Sequence, residues 1–101
     1  MYRGTTPTLY LELDTDLSLT NLTELWVTFK TTTAEVTKTL EDVTVDDETK
    51  TITVVLSQED TLKTYNGPCD IQVRFKNEDG KAYASTIEQI SIERILKEGV
   101  I

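Results

Sequence analysis

The residue types that most often carry out catalysis are scarce in this sequence. It contains no histidine and a single cysteine, Cys69. A Cys–His nucleophile and a metal site built from cysteine and histidine are therefore both excluded. The remaining candidates are the 18 aspartates and glutamates, whose carboxylates serve as acid–base pairs or as ligands of a hard cation.

Two acidic clusters have the ligand type that Ca²⁺ prefers, and calcium takes about six to eight such oxygens. The clusters are Asp14-Thr15-Asp16 and the group Asp42, Asp46, Asp47 and Glu48. Neither has EF-hand spacing, and acidic residues are common turn formers. A glycosidase pair needs carboxylates about 5–10 Å apart across a cleft, which a small β domain hardly offers. We therefore expect turns here, with no catalytic, metal-binding or cofactor-binding residue.

The charge of the chain excludes two classes of partner. Its formal net charge is −8 and its isoelectric point is near 4.4. An acidic surface repels phosphate backbones and anionic lipids, so we expect neither nucleic-acid binding nor membrane adhesion. The apolar runs are too short to span a bilayer, and the N-terminus has no apolar signal-peptide core.

The clearest structural signal is alternation of apolar and polar residues with a period of two. It is strongest at Leu9/Leu11/Leu13, Leu25/Val27/Phe29, Ile52/Val54/Leu56 and Ile71/Val73/Phe75. Such alternation is typical of strands with one face on a core and the other in water. Cys69 shares the parity of Ile71, so we expect a buried free thiol that acts as a small hydrophobe. The 101 residues fit one domain, 1–101.

Read along the chain, the pattern predicts strands, one helical turn and one bulge. The strands are expected at about 6–14, 24–32, 35–41, 43–46, 51–56, 69–76 and 82–93. Residues 14–23 form a connection whose leucines (Leu17, Leu19 and Leu22) close one end of the core. Ser57 begins a short helical turn near residues 58–63 that crosses between sheets. The parity shift after Ile87 predicts a bulge in the last strand.

These elements predict an all-β fold. About seven short strands separated by turn signals are typical of an antiparallel β-sandwich of immunoglobulin-like type, with a small barrel as the alternative. The antibody cysteine pair is missing, and Gly67 stands where a tyrosine would precede the second cysteine. This architecture by itself does not define a function.

Two groups of residues are candidates for partner contact. By parity, Trp26 lies on an outer strand face beside Thr28 and Lys30, and Tyr10 is placed similarly on the first strand. Tyr65 and Tyr83 lie near turns. Exposed aromatic side chains stack on sugars or anchor protein partners. The alternative is that Trp26 is covered by residues 14–23 or by the C-terminal tail.

The tail, residues 95–101, is unusually apolar for a chain terminus. Either it packs on its own sandwich or it offers an apolar edge to another subunit. The candidate contact residues are therefore Tyr10, Trp26, Tyr83, Leu96, Val100 and Ile101.

Several short motifs occur in an order that resembles a known group of proteins. They are Gly4-Thr5-Thr6-Pro7-Thr8-Leu9, Leu19-Thr20-Asn21-Leu22-Thr23, Trp26-Val27-Thr28-Phe29-Lys30, Leu56-Ser57-Gln58-Glu59-Asp60-Thr61, Gly67 before Ile71-Gln72-Val73-Arg74-Phe75, and Asp79-Gly80. Over about residues 3–92 the chain resembles the N-terminal β-sandwich domain of phage baseplate upper proteins. It also resembles small uncharacterised prophage proteins of Gram-positive bacteria.

The resemblance implies a non-enzymatic structural or assembly module that docks to other phage tail or baseplate proteins, with a homo-oligomer as a further option. It also implies a location in the virion or the bacterial host cytoplasm. Baseplate upper proteins continue into a helical stem and further domains beyond the sandwich, so receptor-protein attachment is not carried over. The alternative function is a free-standing module that binds carbohydrate or protein.

Overall fold

The computed structural model describes residues 1–64 and 67–101, and most of them lie in strands. The strands are β1 (Thr8–Glu12), β2 (Leu22–Lys30), β3 (Glu35–Thr39), β4 (Val43–Asp46), β5 (Thr51–Val55), β6 (Gly67–Asn77), β7 (Ala82–Ala84) and β8 (Glu88–Ile92). One α-helix, α1, spans Gln58–Lys63, and a 3-10 turn spans Leu40–Asp42. The expected all-β class is confirmed.

The strands form two antiparallel sheets. The small sheet has the order β1-β5-β4, and the large sheet has the order β3-β2-β6-β7, with β8 also paired to β6. In an immunoglobulin-like sandwich, strands A, B, E and D form one sheet and strands C′, C, F and G the other. The present order matches B-E-D and C′-C-F-G. Among residues 1–64 and 67–101, no strand takes the place of A, and the outer edge of β1 has no neighbouring strand.

The core lies between the two sheets and follows the predicted parity. Leu25, Val27 and Phe29 of β2 are buried, as are Ile52 and Val54 of β5. Alternate residues of β6 are buried as well, and the Cys69 thiol is fully buried and free, as expected. Because strand side chains alternate between faces, the residues between these positions form the outer faces of the sandwich.

The polar connection before β2 closes one end of the core as predicted. Leu19 is buried, and Leu17 and Leu22 pack against the buried cluster. The backbone N–H of Leu19 donates to Asp47 Oδ1 at 2.7 Å, which ties this connection to the turn between β4 and β5. The end of the sandwich is thus sealed by apolar side chains and by one charged acceptor.

The predicted helical turn is present as α1. Ser57 is its N-cap: the Ser57 hydroxyl accepts a hydrogen bond from Asp60 N–H at 3.1 Å, and the Asp60 carboxylate accepts one from Ser57 N–H at 2.9 Å. This reciprocal arrangement satisfies two backbone donors at the start of the helix. The helix ends near Thr64, whose hydroxyl donates to Thr61 O at 2.9 Å.

The final predicted strand, 82–93, is divided in two. Both β7 and β8 pair with β6, and the register shifts by one residue between them. At the break, Ser85 N–H donates to Val73 O at 2.8 Å, and the Ser85 hydroxyl accepts from Val73 N–H at 2.9 Å. The side chain therefore takes the place of a backbone carbonyl. A bulge was predicted after Ile87, but the register shift lies between Ala84 and Glu88, and the prediction of a single continuous strand was wrong.

The N-terminal residues lie beside β8. Tyr2 forms a parallel bridge with Glu93, and Glu93 N–H donates to Met1 O. The chain then turns through Gly4, whose φ of +71° favours glycine. A Cβ atom at Gly4 would also lie 3.1 Å from Ile95 Cδ1, so the turn packs closely against the tail.

Candidate functional site

The second acidic cluster is engaged in turns, and in the first cluster the Thr15 hydroxyl accepts a hydrogen bond from Leu17 N–H at 3.1 Å. The Asp46 carboxylate accepts a hydrogen bond from the backbone N–H of Glu48 at 3.0 Å, and the Asp47 carboxylate accepts one from the Lys50 ammonium at 2.7 Å. The Lys50 hydrogen bond, followed by that from Leu19 N–H, lowers the pKa of Asp47. Within residues 1–64 and 67–101, no group of three or more aspartate, glutamate, cysteine or histidine side chains is arranged to hold a metal ion.

The one thiol is placed for packing. Cys69 lies on the inner face of β6, and burial raises the pKa of its thiol, with a smaller contribution from the Asp70 charge. A nucleophilic cysteine needs the opposite shift and access to solvent. The environment of Cys69 therefore favours the unreactive thiol form.

The candidate functional site is the outer face of the large sheet around Trp26. Trp26 stands on β2 with Thr28 and Lys30, on the side predicted from parity, and 46% of its surface is exposed. The guanidinium carbon of Arg74, on the neighbouring strand β6, lies 5.6 Å from the centre of the indole ring. This distance is within the range of a cation–π interaction. Trp26 is thus neither covered by the 14–23 connection nor fully open.

A groove runs across this face beside the indole. Its volume is about 530 Å³, and its lining combines the Trp26–Arg74 pair with Ile87, which is largely exposed, and polar side chains of β2, β3 and β6. We call this surface the Trp26 face. It offers apolar contact area next to hydrogen-bonding groups, which is the composition of a protein-contact patch.

On the Trp26 face, residues of opposite charge stand across from each other on β2 and β6, except at its centre. Lys30 stands opposite Asp70 in the β2–β6 register, and Glu24 stands opposite Lys76. Arg74 stands opposite Trp26 on one side and Ala84 on the other. Within the described residues, none of these charged side chains forms a salt bridge, but Arg74 alone has no opposite charge across from it. The guanidinium therefore gives the centre of the face a positive charge on an otherwise acidic protein.

Tyr10 and Tyr83 line a second cleft, and Tyr83 also borders a smaller groove of about 270 Å³ together with Trp26 and Arg74. Tyr10, on β1, is 70% exposed, whereas Tyr83, on β7, is half-buried and its ring lies 5.0 Å from that of Phe75. The Tyr83 hydroxyl donates to Asp14 O at 3.1 Å, which links β7 to the residues that follow β1. Both tyrosines border one cleft of about 460 Å³ between the edges of the two sheets.

The sequence left open whether the tail packs on its own domain or exposes an apolar surface, and the structure combines both features. Arg3 forms an ion pair with Glu98, and the Gln58 carboxamide makes two hydrogen bonds to the Ile101 backbone, of 2.8 and 2.9 Å. These contacts hold the tail on its own domain. The side chains of Leu96, Val100 and Ile101 nevertheless remain exposed. The backbone is docked while most of the apolar surface faces solvent.

The six candidate contact residues therefore fall on three surfaces. Trp26 lies on the outer face of the large sheet, Tyr10 and Tyr83 border the edge cleft, and Leu96, Val100 and Ile101 lie on the tail. Tyr83 also borders the smaller groove beside Trp26, so the first two surfaces meet at this residue. The sequence reasoning missed Arg74 and Ile87. The parity of Arg74 with Trp26 on an outer face was available as a signal, but the strand pairing was not. Tyr65 lies outside the described residues, as does Asn66.

Comparison with known proteins gives no match. No family model matches the chain, and neither a curated protein nor a solved structure matches it. In the part of the chain that is described, no helix is long and apolar enough to cross a membrane.

Proposed function

We propose that this protein is a non-enzymatic assembly module of a phage tail or baseplate that docks to other proteins of the particle. The proposal begins from the resemblance of the turn and core motifs over residues 3–92 to the N-terminal domain of phage baseplate upper proteins. The same motifs also resemble small uncharacterised prophage proteins of Gram-positive bacteria.

The observation that carries the docking role is the Trp26–Arg74 pair on the Trp26 face. Trp and Arg are the residue types most enriched among interface hot spots. Here they lie together beside a groove of about 530 Å³ that also exposes Ile87. A partner that covered this face would bury the exposed part of the indole and meet the central positive charge.

A second candidate function is carbohydrate binding, because an exposed indole beside amide and carboxylate side chains is also typical of sugar sites. Three contacts favour the protein partner. Arg74 lies over the indole ring, the Gln72 amide already donates to Ser85 O at 2.9 Å, and Asp70 already accepts from Gln89 at 3.1 Å. A sugar would have to displace these contacts in order to stack on the ring and bond to the polar groups.

The test is to induce particles from the bacterial strain that encodes the chain, purify them by density gradient, and identify their proteins by mass spectrometry. We expect the chain in purified particles at a fixed copy number per tail. Antibody labelling in electron micrographs should place it at the tail or baseplate. Deletion of the gene should give particles with incomplete tails. Complete, infectious particles that lack the protein would overturn the proposal.

The role of the Trp26 face is tested in the same system. Arg74→Gln and Trp26→Ala should reduce incorporation into particles, whereas Lys81→Gln, an equal charge change on the exposed β6–β7 hairpin, should not. Equal incorporation of all three variants would place docking on another surface. A blue shift of Trp26 fluorescence with neutral oligosaccharides would favour the carbohydrate alternative.

A further inference from the structure

We propose that the free edge of β1 is a strand-addition site, where an extended segment of a protein partner pairs with β1 and enters the cleft between the sheets. The partner segment carries apolar side chains that alternate with basic ones. This surface is distinct from the Trp26 face. The inference rests on the proposed function only in requiring a protein partner.

The first observation is that β1 has one unused side. Leu13 N–H donates to Lys50 O at 2.8 Å, and Leu56 N–H donates to Pro7 O at 3.1 Å. In an antiparallel pair, backbone groups point alternately toward and away from the neighbouring strand. Residues 7, 9, 11 and 13 therefore direct their backbone groups to β5. Thr8, Tyr10 and Glu12 direct theirs to the open edge.

No described residue occupies the position that would cover this edge. In the immunoglobulin-like order, the A strand pairs with the strand that β1 represents. Here the N-terminal residues lie beside β8 instead, through the Tyr2–Glu93 bridge. Within the described residues, β1 is paired with β5 and with no other strand. An exposed row of amides of this kind is a template for an added strand.

The second observation is the cleft beside the edge. Its volume is about 460 Å³, and its apolar walls include Leu11, Leu13, Ile71, Val73 and Tyr83. The strand on the far side, β7, has three residues and ends at the Ser85 bulge, so it does not close the gap. An added strand would place alternate side chains in this cleft, as the period of two requires.

The third observation is the charge of the rim. Glu12, Asp14 and Glu88 border the cleft, and all three are exposed. No lysine or arginine lines it within the described residues. The rim therefore complements basic side chains on the partner strand. It disfavours a second copy of this chain, which carries a net charge of −8. Charge complementarity of this kind selects partners and their register.

The probe is a synthetic peptide of alternating valine and lysine, capped at both ends. The readout is amide hydrogen exchange followed by NMR. We expect the amides of Thr8, Tyr10 and Glu12 to become protected at saturating peptide, because they alone on β1 gain an acceptor. A peptide with glutamate in place of lysine should bind at least tenfold more weakly. So should a peptide N-methylated at the amides that face β1.

Two kinds of variant test the site on the protein. Tyr10→Pro removes an outward N–H while leaving the β1–β5 bonds, and it should abolish protection, whereas Tyr10→Thr keeps the N–H and should preserve it. If Tyr10→Pro fails to fold, the exposed rim variants Glu12→Lys and Glu88→Lys give the same test by weakening the lysine peptide at least tenfold. Glu59→Lys, an equal charge change at an exposed residue of α1 that does not line the cleft, is the control variant.

The outcomes separate this inference from the proposed function. Protection at Thr8, Tyr10 and Glu12 in a protein that is absent from particles would support the edge site and remove the phage assignment. No protection at any peptide concentration, or equal binding of the lysine and glutamate peptides, would overturn strand addition even for a protein found in tails. Concentration-dependent protection of the same amides without peptide would identify a second copy as the occupant and overturn the basic partner.

Discussion

Lys38 of β3 and Asp60 of α1 form an ion pair, with 2.7 Å between Lys38 Nζ and Asp60 Oδ2. Both side chains are largely shielded from solvent, at 20% and 12% exposed. Burial alone would raise the pKa of Asp60, but hydrogen bonds from Lys38 and from Ser57 outweigh it, so that the pKa lies below its usual value of 3.8. The pair fastens the helix that crosses between the sheets to an edge strand.

This ion pair predicts a specific pH dependence. Because folding lowers the pKa of Asp60, the pair stabilises the protein fully above about pH 3.8, and its contribution is lost as the pH falls through the lowered value. Lys38→Met should lower the free energy of unfolding by about 0.5–1 kcal/mol near pH 7, and by progressively less as the pH falls below 3.8 and the Asp60 carboxylate becomes protonated. Urea unfolding measures this. Lys81→Met is the control, and a loss that persists undiminished below pH 3.8 would exclude the ionic origin.

The exposure of Trp26 predicts its spectroscopy and its contribution to stability. The single tryptophan should emit as a partly hydrated indole and be quenched readily by acrylamide. Trp26→Ala should cost about 0.5–1 kcal/mol, the scale of an exposed cation–π contact, whereas Phe29→Ala should cost about 3–5 kcal/mol. Thermal and urea unfolding of both variants give the comparison. A cost for Trp26→Ala as large as that for Phe29→Ala would place the indole in the core.

The Ser85 bulge predicts a cost for a small, half-exposed side chain. Ser85→Ala removes the acceptor of Val73 N–H in the middle of β6, where water has limited access. We expect a loss of about 1–2 kcal/mol, because an unpaired and partly buried donor costs more than an average hydrogen bond contributes. Ser91→Ala, on the exposed side of β8, should change stability by less than about 0.5 kcal/mol. Equal effects of the two substitutions would remove the special role of Ser85.

The docked tail predicts a protease phenotype. Gln58→Ala removes both hydrogen bonds to Ile101 while placing a strong helix former in α1. Trypsin should then cut after Lys97 several-fold faster, because local release of a segment exposes it to cleavage. Gln89→Ala, which removes a hydrogen bond on β8, should leave this rate unchanged. Time courses analysed by mass spectrometry distinguish the two variants.

The exposed side chains of the tail predict self-association that depends on salt. Burying Leu96, Val100 and Ile101 in a contact would contribute about 1.5–3 kcal/mol each before the cost of association. The net charge opposes that contact, so screening should strengthen it. Sedimentation should show larger species at high salt for the full chain. A Leu96→Ser/Val100→Ser variant and a chain ending at Glu93 should not form them. A chain that stays monomeric at every salt concentration would contradict this.

The strands could be predicted from the sequence because one face of each is buried. Burial of one face imposes an alternation of apolar and polar residues along the strand. Leu25, Val27 and Phe29 on β2 are examples. The 3-10 turn at Leu40–Asp42 was missed. It depends on Asp42 accepting from the Thr39 backbone N–H and hydroxyl, an arrangement that residue type alone does not distinguish from a simple polar turn.

The alternation of residues along β2 also allowed part of the Trp26 face to be predicted. Parity placed Trp26 on an outer face, but its proximity to Arg74 follows from the β2–β6 register, which joins residues far apart in the chain. The docking of Ile101 on Gln58 likewise depends on the position of α1 in the finished fold. Contacts of this kind are set by tertiary structure and leave no periodic signal.

The buried thiol of Cys69 on β6 reports how often the two sheets separate. A thiol reagent reaches it only in molecules whose two layers have separated, because none of its surface is accessible in the closed state. The labelling rate therefore equals the fraction of opened molecules multiplied by the rate at which a free thiol reacts with the reagent. Because Cys69 is the one cysteine of the chain, thiol labelling of the unmodified protein measures the opening of the sandwich directly. A partner that holds the two sheets together should lower the labelling rate.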